Sequence, residues 1–232
     1  MEDSMPFLFY DPTMLLLIPA IILAIWAQSL VKRTFAKYSK VPASSRMSGA
    51  EVAQRLLEAN GLGSIPIEEV GGQLSDHYDP GTKTLRLSQN VSRSRSVAAI
   101  SVAAHEVGHA IQHQKGWTAF QLRQSFFPVA NIGSKMAFPL FIAGLFFAYE
   151  PLMDIGIILF AAAVAFQLIT LPVEFDASRR ALALLDSRGY LVQKETGQAR
   201  KVLRAAALTY VATTAVAVLH LLRLLILRGA RD

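Results

Sequence analysis

Residues 105–113 read His105-Glu106-Val107-Gly108-His109-Ala110-Ile111-Gln112-His113, and the first five form the pattern H-E-x-x-H. On an α-helix, residues four apart lie one turn apart on the same face. Two imidazoles at that spacing each reach one zinc ion at about 2.0–2.1 Å. The residue after the first histidine then aims a carboxylate at the metal's open position. Zinc lowers the pKa of a bound water towards ~7, and Glu106 is placed to take its proton. These are the parts of a metal-dependent hydrolase. The run before the motif, Val97 to Ala104, is nearly all small and apolar. It predicts a buried helix, and two histidines and a glutamate buried together need a partner such as a metal ion.

The composition around the motif is that of a membrane protein. The 232 residues are 53% hydrophobic, with a mean hydropathy of +0.37, and the apolar residues are clustered. The net charge of +6 is not arranged as a basic stripe with aromatic readers, which argues against nucleic acid as a partner. It reads instead as loop charge that orients a chain in a bilayer. With 0 Cys there is neither a disulfide framework nor a thiolate metal site, so the ligands must be His and carboxylate.

Along the chain, residues 1–11 form a short acidic tail, expected outside the cell, and 12–31 form a first apolar stretch long enough to span. Lys32, Arg33, Lys37 and Lys40 follow the stretch, so it reads as an uncleaved anchor with residue 32 onward in the cytoplasm. Residues 32–126 are polar and globular. Ser48-Gly49-Ala50-Glu51 is a capping box opening a helix that Gly61 stops. Ile65–Val70 is a strand candidate. Leu74–Tyr78 and Thr82–Leu87 flank Asp79-Pro80-Gly81 and predict a β-hairpin. Ser94 or Ser96 caps the motif helix, and Gly116 ends it. Residues 127–171 predict a transmembrane hairpin, its two arms joined by an acidic turn at Glu150–Asp154. Residues 172–204 return to the cytoplasm and are rich in Arg and Lys. Residues 205–227 either span or pack at the interface, and 228–232 form a tail; Arg223, Arg228 and Arg231 sit awkwardly with an outside C-terminus.

A catalytic zinc takes three protein ligands and keeps a position for water. Four residues compete for the third place. His113 keeps the four-residue register, but lies about 12 Å along the helix from His105, too far for one metal to join all three. His77 sits in the hairpin beside Asp76 and Asp79. His220 lies inside the last apolar stretch. Glu174 fits best, because it follows the returning span and starts a segment at the same membrane face as the motif helix. Ser178, one turn further on, is placed to orient the ligand sphere. Asp176, two residues from Glu174, points to another side.

With HEVGHAIQH, the preceding DHYDP and KTLRLS strands, and PVEFDASRRAL after a membrane hairpin, the sequence resembles the YugP-type zinc-dependent membrane peptidases over about residues 15–225. It is similar, more distantly, to the HtpX and CAAX-protease type of integral-membrane gluzincins. The resemblance implies a mostly α integral membrane protein with 3–4 transmembrane helices and a small α+β zincin-like cytoplasmic domain carrying the β-hairpin. It assigns one Zn²⁺ per chain to His105, His109 and Glu174, and the general-base role to Glu106. The HtpX-like pattern has an acidic residue where this chain has Ser178, so Asp176 is a second candidate for that supporting role. The implied partners are a peptide or membrane-protein substrate and the lipid bilayer of the cell membrane, with the active site facing the cytoplasm.

Lys83–Leu87, centred on Leu85, is expected to be an edge strand able to pair with an extended substrate. His77, Tyr78 and Tyr210 are the candidate oxyanion donors. The competing readings are a non-catalytic zinc-binding scaffold or sensor, which has no need of Glu106, and a transporter, for which no repeated half is visible.

Overall fold

The computed structural model describes residues 12–229; the predicted tail at 1–11 and residues 230–232, with Arg231, lie outside the described residues. A 3₁₀ turn at Pro12–Leu17 leads into α1 (Ile18–Tyr38). There follow α2 (Gly49–Ala59), β1 (Ile67–Val70), β2 (His77–Asp79), β3 (Thr84–Ser88), the single turn α3 (Gln89–Ser92) and α4 (Val97–Gln114). Three long helices complete the chain: α5 (Thr118–Phe146), α6 (Glu150–Ser187) and α7 (Gln193–Gly229). Among the described residues, four helices are long and apolar enough to cross a membrane, in the ranges Pro12–Tyr38, Thr118–Phe146, Glu150–Ser187 and Gln193–Gly229. The fourth apolar stretch is thus part of one continuous 37-residue helix.

The chain divides into two compact units. The first holds the described parts of Met1–Trp26, Arg123–Ile169 and Tyr210–Asp232. In it, α5 and α6 meet through glycines. A Cβ on Gly133 would stand 2.5 Å from the Leu159 carbonyl oxygen, and one on Gly156 would stand 2.7 Å from that of Ala137. Small residues let membrane helices approach this closely. The connection between the two helices is Phe147–Tyr149, with Ala148 at φ 51. The predicted acidic turn at Glu150–Asp154 is instead the opening of α6. Acidic side chains complement the exposed amides at a helix start, and proline is tolerated there. Arg228, awkward in sequence, binds Glu150 and Asp154 at 2.9 Å each.

The second unit holds Ala27–Leu122 and Thr170–Thr209. The Ser48 capping box forms as read: its Oγ accepts the Glu51 amide, and the Glu51 carboxylate accepts the Ser48 amide. Ser96, rather than Ser94, caps α4 by accepting the Ala99 amide at 3.2 Å. In the hairpin turn Asp79 Oδ1 accepts the amides of Gly81 and Thr82. The sheet order is β1-β3-β2, with β1 parallel and β2 antiparallel to β3. This corrects the edge-strand expectation for Lys83–Leu87. Both sides of β3 are occupied, and Leu85 is fully buried. β2 is the edge next to the motif helix. The core packs α4 through Ile100, Val107 and Ile111 against Leu56 and Leu57 of α2, Leu85 and Leu87 of β3, and Val173 and Leu185 of α6.

Candidate metal centre

The buried face of α4 brings His105 and His109 together, as the four-residue spacing requires, with ring centroids 4.7 Å apart. Glu174 enters from α6. Helix α6 runs without interruption from its apolar stretch through Pro172 to Ser187, and Glu174 lies on that one helix. The approach depends on Gly108, between the two histidines. A Cβ there would stand 2.8 Å from the Ala177 carbonyl oxygen. The missing side chain is what lets α6 come close enough for Glu174 to reach the imidazoles.

His105, His109 and Glu174 offer donor atoms that all lie within 4.8 Å of one another. His105 Nε2 is 3.2 Å from Glu174 Oε2, and His109 Nε2 is 3.6 Å from Oε1. Donors about 2.0–2.1 Å from a tetrahedral ion sit about 3.4 Å apart, so this set fits zinc. Glu174 is 2% exposed and His109 7%, which suits a site that must exclude bulk water.

The opposite ring nitrogens are also held, and this fixes which nitrogen faces the metal. The buried Gln112 donates through Nε2 to the Val173 carbonyl at 2.8 Å and to Asp176 Oδ2 at 2.9 Å. Its Oε1 therefore faces His109 Nδ1, 2.9 Å away. That acceptor requires Nδ1–H and leaves the Nε2 lone pair for a metal. Ser178 Oγ lies 3.1 Å from His105 Nδ1, and its hydroxyl can accept from that nitrogen when Nε2 faces a metal. Asp176 is held in turn by Arg179 and by Arg180, the latter at 2.5 Å. Ser178 and Asp176 thus both support the histidines, by separate routes.

Glu106 stands beside the cluster but outside the ligand set. Its Oε2 accepts the backbone N–H of Tyr78 in β2 at 3.0 Å. Burial pushes its carboxyl up to about 7; His105 opposes this and the charges of Glu174 and Asp76 add to it. Such a carboxylate is poised to take and return a proton near neutrality.

The other histidines lie elsewhere. His113 Nδ1 is 3.0 Å from the Tyr78 hydroxyl, and its ring stacks on Phe120. His77 is exposed, with Nδ1 2.8 Å from the Ser75 carbonyl. His220 packs edge-on against Phe160 in the first unit. Tyr210 also belongs to the first unit. Motif spacing alone does not assign Gln112, Gly108 and the Tyr78 amide to the site. The first two had a signal: an uncharged polar residue and a glycine inside a helix read as buried.

The family model described as "Putative neutral zinc metallopeptidase" matches residues 13–229. "Putative membrane protease YugP" of Bacillus subtilis (strain 168) is 52% identical over 218 residues, covering 94% of this chain and 97% of that protein. No solved structure matches the chain.

Proposed function

The chain belongs to the family described as "Putative neutral zinc metallopeptidase", and from that premise we propose that it is a multi-pass gluzincin. It hydrolyses peptide bonds in membrane proteins or peptides, with one zinc held by His105, His109 and Glu174 at the cytoplasmic face of the plasma membrane. Zinc, when bound, supplies Lewis acidity, polarising the scissile carbonyl and lowering the pKa of water towards ~7. Glu106 takes the proton of the attacking water and then gives it to the leaving amine. The Tyr78 amide fixes the Glu106 side chain for that exchange. Gln112 and Ser178 hold the imidazoles as Nε2 donors. An extended substrate lies along β2, the sheet edge whose backbone already reaches Glu106.

The observation that carries this reading is the separation of roles at the centre. Three donors converge, and a fourth group, the carboxyl of Glu106, stands beside them, buried but outside the ligand set. A structural zinc site closes its fourth position and gains nothing from a buried Glu106. The basic residues Lys32, Arg33, Lys37 and Lys40, and Arg179, Arg180, Arg188 and Arg200, support the cytoplasmic placement.

The test is Glu106→Gln in the purified full chain. Zinc content by elemental analysis is expected to stay at one per chain, and peptide cleavage to fall by about 10²–10⁴-fold. Undiminished cleavage would refute the mechanism.

A further inference from the structure

A cavity of about 890 Å³ lies in the second unit between α6 and α7. Two single-face stripes line it. On α6 the residues are Phe175, Ser178, Arg179 and Leu182, at offsets of three, four and seven; on α7 they are Arg200, Leu203, Arg204 and Leu208, at three, four and eight. The walls are mostly apolar, and the charged lining residues are three arginines, Arg179, Arg200 and Arg204, and one carboxylate, Asp186, which accepts from the Thr196 hydroxyl at 3.4 Å. Arg179 is held by Asp176. Arg200 and Arg204 are exposed and have no ion pair among the described residues. Like charges four apart on a helix repel, so the pair gains from an anion. The α6 wall follows directly on the apolar stretch 155–171, and the α7 wall leads into 205–227. The cavity therefore occupies the helix segments at the ends of two apolar stretches, where lipid headgroups meet a membrane protein. Gly197 opens it further: a Cβ there would meet nothing within 4 Å. No neighbour requires that glycine, although glycine inside a helix costs about 1 kcal/mol relative to alanine.

We propose that this cavity is a binding site for an anionic phospholipid, its phosphate between Arg200 and Arg204 and an acyl chain against Leu182, Leu203 and Leu208. The apolar walls select a lipid over free phosphate. The charge selects an anionic headgroup over a zwitterionic one. The cavity shares Ser178 with the surroundings of the metal centre, but the proposed lipid contacts fall on Leu182, Arg200, Leu203, Arg204 and Leu208, and binding does not depend on peptidase activity.

The test uses the full chain in uncharged detergent, titrated with dioleoyl phosphatidylglycerol or dioleoyl phosphatidylcholine, with bound lipid counted by native mass spectrometry. Phosphatidylglycerol is expected to bind more tightly than phosphatidylcholine. Arg200→Gln with Arg204→Gln is expected to weaken it roughly thirty-fold, from about 1 kcal/mol per basic side chain. Gly197→Trp fills the cavity without changing charge and is expected to weaken it comparably. Lys32→Gln with Arg33→Gln, at another basic boundary, is the control and should change binding by less than threefold. Equal binding of the two lipids by the wild-type chain would overturn the proposal, even if the double variant did not fold. So would displacement by inorganic phosphate, undiminished binding in Gly197→Trp, or saturable binding of an acidic peptide that excludes the lipid.

Discussion

Gln112 decides how His109 meets a metal. Its amide donates to two acceptors on α6, so its oxygen has only one orientation, towards Nδ1. Gln112→Leu keeps the bulk and removes the acceptor. Zinc affinity, measured by competition with a chromogenic chelator, is expected to drop about 10–100-fold. An unchanged affinity would mean that the ring is oriented by packing alone. His105, Glu106 and His109 were legible because helical spacing fixes their geometry from sequence. Glu174 was legible through the expected return of a membrane hairpin to the motif helix, and α4 and α6 do bring it beside His105 and His109. Gln112 was not, because its partners Val173 and Asp176 lie 61 and 64 residues away. Asp79 shows a different limit: its turn was readable, but its ion pair was not. Arg86 and then Thr82 hold its carboxyl well below the ordinary value. A carboxyl depressed in the folded state stabilises above its unfolded pKa of about 3.9, and that stability is lost as pH falls through the folded value. Asp79→Asn is expected to cost about 1 kcal/mol at pH 7, allowing for solvent screening. In thermal melts the wild-type advantage should shrink progressively below pH 4.

Two helices can share a metal only if their backbones come close, and Gly108 sets that distance. Alanine is the better helix former by about 1 kcal/mol, so propensity alone predicts that Gly108→Ala stabilises the protein. The geometry predicts the reverse. The new methyl would meet main-chain atoms of Ala177, which cannot swing aside, and overpacking of this kind costs about 1–3 kcal/mol. Scanning calorimetry should show a lower melting temperature, and chelator competition weaker zinc retention. A rise in melting temperature would mean that α4 and α6 have slack between them. Among the sheet elements, Asp79-Pro80-Gly81 revealed the hairpin, yet strand order stayed hidden. Leu85 and Leu87 suit a half-buried edge as well as a central strand. Only the parallel pairing with β1, after a connection that carries β2, places β3 in the middle.

For the whole molecule, the number of long apolar helices could be read from composition, whereas their true lengths could not. α6 and α7 continue well past their apolar stretches, because a helix needs no change of backbone where the solvent changes. The proposed orientation can be checked with the chain as it is, since it has 0 Cys and a single introduced thiol is unambiguous. Tyr149→Cys, in the connection between α5 and α6, should react with a membrane-impermeant maleimide on intact cells. Gln73→Cys, on the loop before β2, should react only after permeabilisation. The opposite pattern would invert the topology. The chain order of the ligands has a further consequence. His105 and Glu174 are 69 residues apart, and the whole of α5 lies between them. At translation rates of about 5–20 residues per second, the ribosome releases the two histidines several seconds before their carboxylate partner. For that interval the emerging chain carries Glu106 and two imidazoles but no complete metal-ligand set. Arrival of the second long arm thus completes the candidate metal site, and the proposed peptidase becomes competent only at that step.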